Sequence, residues 1–282
     1  MQTALLTGQT GFVGKNVRDM LAENFDLLAP GRSELDLRNA ESVEQYFDNH
    51  HVDVVFHCAN PNPVKNTLDS NEHFMEDCMR IFLNLYRCRH KYGKMIYLGS
   101  GAEYNKTMEI QNISEEDAFR SPPPDPYGLS KYAMNMMADQ SDNVINLCLF
   151  ACYGPWDHAS KFITHCIRCC LRNEPITIRQ DCRFDYIHVS DLGRMMVWLG
   201  QNEPKYHMYN VSGCQHVLLS EIAEEVRRQM GMEEPVRILN PGFNREYTAN
   251  GARFWNESKL TPPVSLRDGI AQQIKWEREH LQ

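Results

Sequence analysis

The chain has 282 residues, 42% of them hydrophobic and 23% charged, and 29 basic against 37 acidic side chains leave a net charge of -8. That length and apolar content bury a full core, as one large or two ordinary domains, without a metal or disulfide, and exclude wholesale disorder. The acidic balance and the scattered Arg and Lys residues argue against a nucleic-acid binder or a membrane-surface protein, which need a basic stripe.

No apolar run approaches membrane-spanning length. The opening MQTALLTGQTGFVG has no basic start, long apolar stretch or small-residue cleavage site, so no export signal is expected. Ten cysteines without a regular framework then read as reduced thiols in a cytoplasm.

From Thr3 a short apolar run leads into a glycine-rich turn and an amphipathic stretch, Phe12 to Phe25, a strand, turn and helix in order. Compact apolar runs recur at Asp53 to Cys58, Met95 to Leu98 and Val144 to Phe150, separated by helix-length segments such as Asn71 to His90. Buried parallel strands read as such continuous runs. The alternation predicts a doubly wound α/β parallel sheet, a Rossmann architecture, with ligands beyond the carboxyl ends of the strands. After Gly154 the texture changes, with helices expected over Lys161 to Asn173, Leu219 to Met230 and Leu266 to His280. A smaller, interleaved C-terminal α+β substrate domain is expected over about 156–182 and 211–282, with 1–155 plus about 183–210 as the dinucleotide-binding domain.

The first turn reads Thr7-Gly8-Gln9-Thr10-Gly11-Phe12-Val13-Gly14. Gly8 permits the tight turn, Gly11 lets backbone approach a pyrophosphate, and Gly14 lets helix and strand pack closely. The following helix offers unpaired N–H groups and a positive dipole end to that anion. Its place between a strand and an amphipathic helix is the context that makes the spacing a dinucleotide fingerprint.

The second strand is expected to end near Leu28 to Gly31, where a carboxylate would hold the ribose 2′-hydroxyl of NAD. Ala29-Pro30-Gly31-Arg32-Ser33 stands there instead. A forked cation and a hydroxyl suit a 2′-phosphate, so NADP is preferred over NAD. Asp36 is placed to reach the adenine amino group.

Tyr127 and Lys131 stand four apart in PYGLSKY, a spacing that stacks both on one helical face. The pair follows a proline-rich loop, Pro122 to Pro126, downstream of an expected strand whose end carries Ser100. Hydride transfer at a carbonyl carbon needs a proton delivered to, or taken from, the oxygen. A free phenol is a slow proton shuttle at neutral pH, and a nearby ammonium favours the phenolate. Lys131 supplies that cation and can also hold the nicotinamide ribose. Ser100 would hydrogen-bond the same oxygen and fix its angle.

TGQTGFVG, the strand-end Ser100 and YGLSK together resemble the extended short-chain dehydrogenase/reductase family of nucleotide-sugar epimerases, dehydratases and reductases, over essentially the whole chain. The segments KMIYLGSGAEY, ACYGPW, FDYIHVSDLGRM and ARFWNESKL look closest to its branch of nucleotide-sugar reductases. The resemblance implies Ser100, Tyr127 and Lys131 as the catalytic set. It implies cofactor contacts at Gly8, Thr10, Gly11, Phe12, Val13 and Gly14, at Arg32, Ser33, Asp36 and Leu37, at Cys58 and Ala59 on the adenosine side, and at Tyr127, Lys131 and Phe150. It matches Lys161 and Arg253 to positions that hold substrate phosphates or sugar, beside Ser100, and it implies a homodimer.

Departures from the family narrow the reaction. Dehydratases place Asp-Glu directly after the catalytic hydroxyl, whereas Gly101 and Ala102 follow Ser100 here, and neither acts as acid or base. Epimerising reductases carry a Cys at the place of Ala102. Cys148, Ala151 and Cys78 stand where Arg or Asn are common in relatives. What remains is reduction or oxidation at one carbon, or a 4-epimerisation that uses only the tyrosine and nicotinamide. The expectation is an NADPH-dependent reductase of a nucleotide-activated 4-keto-deoxysugar. Its rivals are an NAD-retaining 4-epimerase and a dinucleotide-binding scaffold or sensor without turnover.

Two weaker signals remain. Cys166-Ile167-Arg168-Cys169 tempts a metal reading, but the stretch reads as one helix packed on its apolar side, and no second ligand pair lies at zinc spacing. Trp156, just after YGP, suits stacking on a base or sugar as well as packing.

Overall fold

The computed structural model describes residues 1–61, 73–261 and 263–281. In chain order come β1 (Thr3–Thr7), α1 (Phe12–Asn24), β2 (Asp26–Leu28), α2 (Ala40–Asn49), β3 (Val52–His57), α3 (Phe74–Arg87), β4 (Tyr92–Leu98), β5 (Ile110–Ile113), α4 (Pro126–Asp139) and β6 (Val144–Leu149). There follow β7 (Cys152–Tyr153), α5 (Phe162–Leu171), β8 (Thr177–Asp181), β9 (Arg183–Phe184), β10 (Ile187–His188), α6 (Val189–Gln201), β11 (Met208–Val211) and β12 (Val217–Leu218). The last elements are α7 (Leu219–Met230), β13 (Arg237–Phe243), β14 (Tyr247–Ala249), α8 (Ala252–Ser258) and α9 (Leu266–His280). The start of the segment expected over Asn71 to His90 lies outside the described residues.

The chain divides into two compact units, one of Met1–Met108, Glu115–Leu149 and Gly193–Tyr209, the other of Glu109–Ser114, Phe150–Leu192 and Asn210–Gln282. The first is built on a six-stranded sheet in the order β11-β6-β4-β3-β1-β2, in which β2, β1, β3, β4 and β6 are parallel neighbours. Its strands are continuous apolar runs because both faces are covered: Ala4, Leu5 and Leu6 of β1 and Val54, Val55 and Phe56 of β3 are wholly buried. On one face α2, α3 and α4 pack Val43, Phe82, Leu85 and Met134 against the sheet. On the other, α6 approaches so closely that a Cβ on Gly200 would lie 2.6 Å from the Phe25 ring, and one on Gly193 3.0 Å from Met20 Sδ of α1. This is the doubly wound α/β sheet, and it sets the carboxyl ends of β1, β3 and β4 side by side.

The second unit holds a four-stranded sheet, β12-β9-β14-β5, and two two-stranded pairs, β10-β7 and β13-β8. Helices α5, α7 and α9 pack on a core that includes Tyr153, Ile163, Ile222, Val226 and Ile270. Cys166, Cys169 and Cys170 belong to that core, on the buried side of α5. Asp185, fully buried, accepts backbone N–H bonds from Gln215, His216 and Ala249 and so pins two loops to β14. Among the described residues no helix is long and apolar enough to cross a membrane.

Candidate active site

The glycine loop leaves β1 and enters α1 as a turn closed by the Gly11 N–H donating to the Gly8 carbonyl at 3.0 Å. Gly8 has φ +77°, and a Cβ there would lie 2.6 Å from the Ala59 nitrogen at the end of β3. At Gly14 a Cβ would lie 2.1 Å from the Gly8 carbonyl oxygen, whereas at Gly11 the same distance is 3.3 Å. The close approaches therefore belong to Gly8 and Gly14, with Gly11 merely snug. Helix α1 starts at Phe12 with Gly11 as its N-cap, no side-chain cap, and no acidic residue in its first turn. A helix start left uncapped at a strand end is an anion site for a pyrophosphate. The residues present thus fit a nicotinamide dinucleotide, with Thr10, Phe12 and Val13 in the same turn.

Beside the loop, His57 closes β3 almost wholly buried, its Nδ1 2.8 Å from Thr7 Oγ1. Burial pushes this imidazole down to about 3, with the Lys131 charge adding to the effect, so it is neutral at physiological pH. Burial pushes the neighbouring Cys58 thiol up to about 12, which makes it an inert lining group. Ala59 donates its N–H toward Thr7 Oγ1 at 3.4 Å, tying the ends of β1 and β3 together.

At the end of β2, Gln9 of the glycine loop donates to the Ala29 carbonyl. Gly31 N–H donates to Glu34 Oε2 at 2.7 Å, shaping the turn that presents Arg32 and Ser33. The Arg32 side chain is 72% exposed and only loosely paired with Asp36, at 3.9 Å. Asp36 also accepts the Arg38 N–H, and Leu37 packs against the core while its carbonyl accepts from Asn84 of α3. The end of β2 and the glycine loop are therefore linked through Gln9.

Ser100 lies two residues beyond β4 as the N-cap of a 3-10 turn, Gly101–Tyr104, and is 6% exposed. Its Oγ accepts the Ala102 N–H at 3.2 Å, which leaves its own O–H proton to donate elsewhere. Helix α4 starts at Pro126 with the Asp125 carboxylate capping the Gly128 N–H at 2.9 Å, so the proline-rich loop is the device that starts this helix. Tyr127 and Lys131 follow one turn apart. The Tyr127 ring packs against Phe74 of α3 at 5.7 Å, and the buried Lys131 Nζ donates to the Leu98 carbonyl at 2.8 Å. The ammonium of α4 is thus fastened to the strand end that carries Ser100.

The sequence reading missed Glu103, Asn135 and Asn146. All three are buried, and Asn135 and Asn146 both direct their amides at Glu103 Oε1. Asn135 continues the Tyr127–Lys131 spacing by one more i,i+4 step, a signal that was legible, whereas the inward turn of Glu103 was not.

Phe150, Lys161 and Arg253 belong to the second unit. The Phe150 ring packs tilted against Tyr247 at 4.9 Å, Lys161 is the N-cap of α5, and Arg253 lies in the first turn of α8. Trp156 has φ +66°, is 46% exposed, and meets Trp276 of α9 edge-on at 4.9 Å, which is packing within the second unit. Among the described residues no group of three or more His, Cys, Asp or Glu side chains converges as a metal site.

A close-approach glycine turn on a parallel sheet, with a hydroxyl, a phenol and a buried ammonium at neighbouring strand ends, defines a nicotinamide-dinucleotide enzyme of the Rossmann class. Residues 4–212 match the model of the NAD dependent epimerase/dehydratase family, and the chain belongs to that family. It is 25% identical over 321 residues to a dTDP-4-dehydro-6-deoxy-D-allose reductase of Streptomyces sp, covering 99% of this chain and 97% of that one. Among solved structures it is similar to UDP-glucose 4-epimerase of Thermotoga maritima with UDP-glucose, at a TM-score of 0.84 and 20% identity, covering 99% of this chain and 100% of that one. A GDP-L-fucose synthetase of Naegleria fowleri bound to NADP gives a TM-score of 0.83 at 18% identity, covering 99% and 95%. The chain is accordingly an NAD(P)-dependent nucleotide-sugar oxidoreductase.

Proposed function

We propose that the chain is an NADPH-dependent reductase of a nucleotide-activated 4-keto-deoxysugar, serving deoxysugar or surface-glycan synthesis in the cytoplasm. The observation that carries this reading is the Ser100 turn. Gly101 and Ala102 follow the hydroxyl, so no acid or base stands where dehydration or carbon epimerisation needs one, and the Ala102 N–H occupies Ser100 Oγ as acceptor. The Ser100 O–H then donates to the substrate carbonyl oxygen.

When bound, the nicotinamide supplies the hydride. The Tyr127 phenol gives its proton to the same carbonyl oxygen, so the product is a secondary alcohol, and the phenolate left behind is stabilised by the Lys131 ammonium. Gly8 through Gly14 and the start of α1 hold the pyrophosphate. Arg32 and Ser33 receive the 2′-phosphate, Asp36, Leu37, Cys58 and Ala59 line the adenosine, and Phe150 is a further cofactor contact. The second unit binds the nucleotide sugar, with Lys161 and Arg253 as long cations for its diphosphate. A homodimer through α3 and α4 is consistent with Leu83 and Met136, which are 38% and 50% exposed on those helices.

A second reading, a 4-epimerase with retained NAD, uses the same three residues and is favoured by the likeness to the UDP-glucose 4-epimerase. Mass spectrometry of the purified protein followed by tryptophan-quenching titration separates the two. Reversible NADPH binding to cofactor-free protein, with NADPH oxidation on a panel of GDP-, dTDP- and UDP-linked 4-keto-6-deoxyhexoses, supports the reductase. Stoichiometric NAD carried through purification supports the epimerase, and binding of neither cofactor overturns both.

A further inference from the structure

Glu103 follows Ser100 by one 3-10 turn, is 4% exposed, and donates its backbone N–H to the Ser100 carbonyl at 2.9 Å. Its Oε1 accepts from Asn146 Nδ2 of β6 at 3.0 Å and from Asn135 Nδ2 of α4 at 3.4 Å. Asn135, Lys131 and Tyr127 occupy one face of α4 at successive i,i+4 steps. One carboxylate therefore joins the turn that bears Ser100, the helix that bears Tyr127 and Lys131, and the strand beneath them.

The arrangement is closely fitted and costly. A Cβ on Gly99, just before Ser100, would lie 2.0 Å from Asn146 Oδ1, so only glycine leaves the amide its place. Asn146 Oδ1 and the Tyr97 hydroxyl of β4 are buried without a hydrogen-bond partner among the described residues. Apolar side chains of the same volume would fill this space at lower cost than a carboxylate and two amides. The groups that act on the Glu103 charge are the Lys131 ammonium from α4, the Cys148 thiol from β6 and, through Cys148, Glu115; Glu103 acts in turn on the Tyr97 phenol of β4.

We infer that Glu103 is a positioning residue: through Asn135 and Asn146 its carboxylate holds the Ser100 turn against the Tyr127–Lys131 face of α4, and its charge is coupled to the Lys131 ammonium that donates to the Leu98 carbonyl. The inference rests on Ser100, Tyr127 and Lys131 being the reacting set. Glu103→Gln keeps the shape and the oxygen that accepts from Asn135 and Asn146, removes the charge and replaces Oε2 by an N–H donor.

Two measurements on the full-length protein test it. On the 4-keto-6-deoxyhexose panel, Glu103→Gln is expected to lower kcat roughly 10- to 100-fold with KM, NADPH affinity and thermal midpoint nearly unchanged. The rise in kcat as the wild-type carboxyl ionises near about 7 is expected to vanish in the variant. Unchanged kcat, or a loss that tracks the thermal midpoint, overturns the inference.

The second measurement needs no substrate. An infrared difference titration, wild type minus Glu103→Gln, follows the carboxyl band directly, and Lys131→Met is expected to move its midpoint upward because the stabilising cation is gone. An unmoved midpoint overturns the inference whatever the panel does. A moved midpoint with a panel that gives no turnover supports the Glu103–Lys131 coupling and overturns the reductase reading alone.

Discussion

Lys131 Nζ donates to the main-chain carbonyl of Leu98 at 2.8 Å, from a side chain 7% exposed. A backbone carbonyl at a strand end cannot swing away, so the ammonium is held by the sheet itself. Leu98 lies two residues before Ser100, and the same bond fixes the spacing between the Ser100 turn and the helix that carries Tyr127. The glycine loop, Ser100, Tyr127 and Lys131 stand at the carboxyl ends of β1 and β4 and on one face of α4, all within the first unit.

Tyr127→Phe removes the oxygen proposed as proton donor while leaving the ring against Phe74. Turnover on the 4-keto panel is expected to fall roughly 100- to 10,000-fold. NADPH affinity by tryptophan quenching and the thermal midpoint are expected to stay close to wild type. A variant that keeps its turnover sinks the assignment of the phenol as proton donor.

The glycine loop permits a graded test. Gly14→Ala drives a Cβ to 2.1 Å from the Gly8 carbonyl, which the helix start relieves only by moving, while Gly11→Ala meets the same oxygen at 3.3 Å. Gly14→Ala is expected to cost about 1–3 kcal/mol of stability and to abolish NADPH binding. Gly11→Ala is expected to keep the fold and weaken the cofactor modestly. Chemical denaturation and NADPH titration of the two variants check the order, and a reversed order contradicts the loop geometry.

Much of this was readable in the residues. The strand–glycine loop–helix unit announced itself because a close turn tolerates few residue types, and the Tyr127–Lys131 spacing because helix geometry leaves few alternatives. The expected helix over Leu266 to His280 coincides with α9, while α5 is a few residues shorter than the stretch expected over Lys161 to Asn173. Glu103 escaped because its burial depends on Asn135 and Asn146, distant in the chain, and nothing local distinguishes an inward from an outward carboxylate on a 3-10 turn. The short strands β7 to β9 escaped as well, because segments of two to five residues carry too little periodicity to be told from loop.

Arg32 supplies the test of cofactor choice. Its guanidinium is exposed and only 3.9 Å-paired with Asp36, so it costs little to redirect toward a phosphate. Arg32→Ala is expected to weaken NADPH binding about ten-fold, corresponding to about 1.4 kcal/mol, and to leave NADH binding unchanged. Equal losses for both cofactors, measured by the same quenching titration, rule out a 2′-phosphate contact.

Two buried groups move stability with pH in opposite directions over overlapping windows, about 3 to 6.5 for His57 and 3.8 to about 7 for Asp157. His57 titrates in the unfolded chain near its ordinary 6.5 but in the fold only at about 3, so between those values the unfolded state binds the proton and stability falls as the pH drops. Asp157 behaves oppositely. Burial raises its carboxyl from the ordinary 3.8 to about 7, and although Oδ1 accepts the His158 N–H at 2.9 Å, Oδ2 is buried without a partner among the described residues. Its contribution is full below 3.8 and is lost as the pH rises from there to about 7, the range over which the folded state keeps a proton that the unfolded state has lost. Urea denaturation midpoints from pH 4 to pH 9 check both groups. His57→Asn is expected to steepen the decline between pH 4 and pH 7 by removing the opposing imidazole, and Asp157→Asn to reduce that decline while Glu103, also raised to about 7, keeps part of it. An Asp157→Asn profile that declines between pH 4 and pH 7 as steeply as wild type would falsify the assignment of that decline to the buried carboxyl.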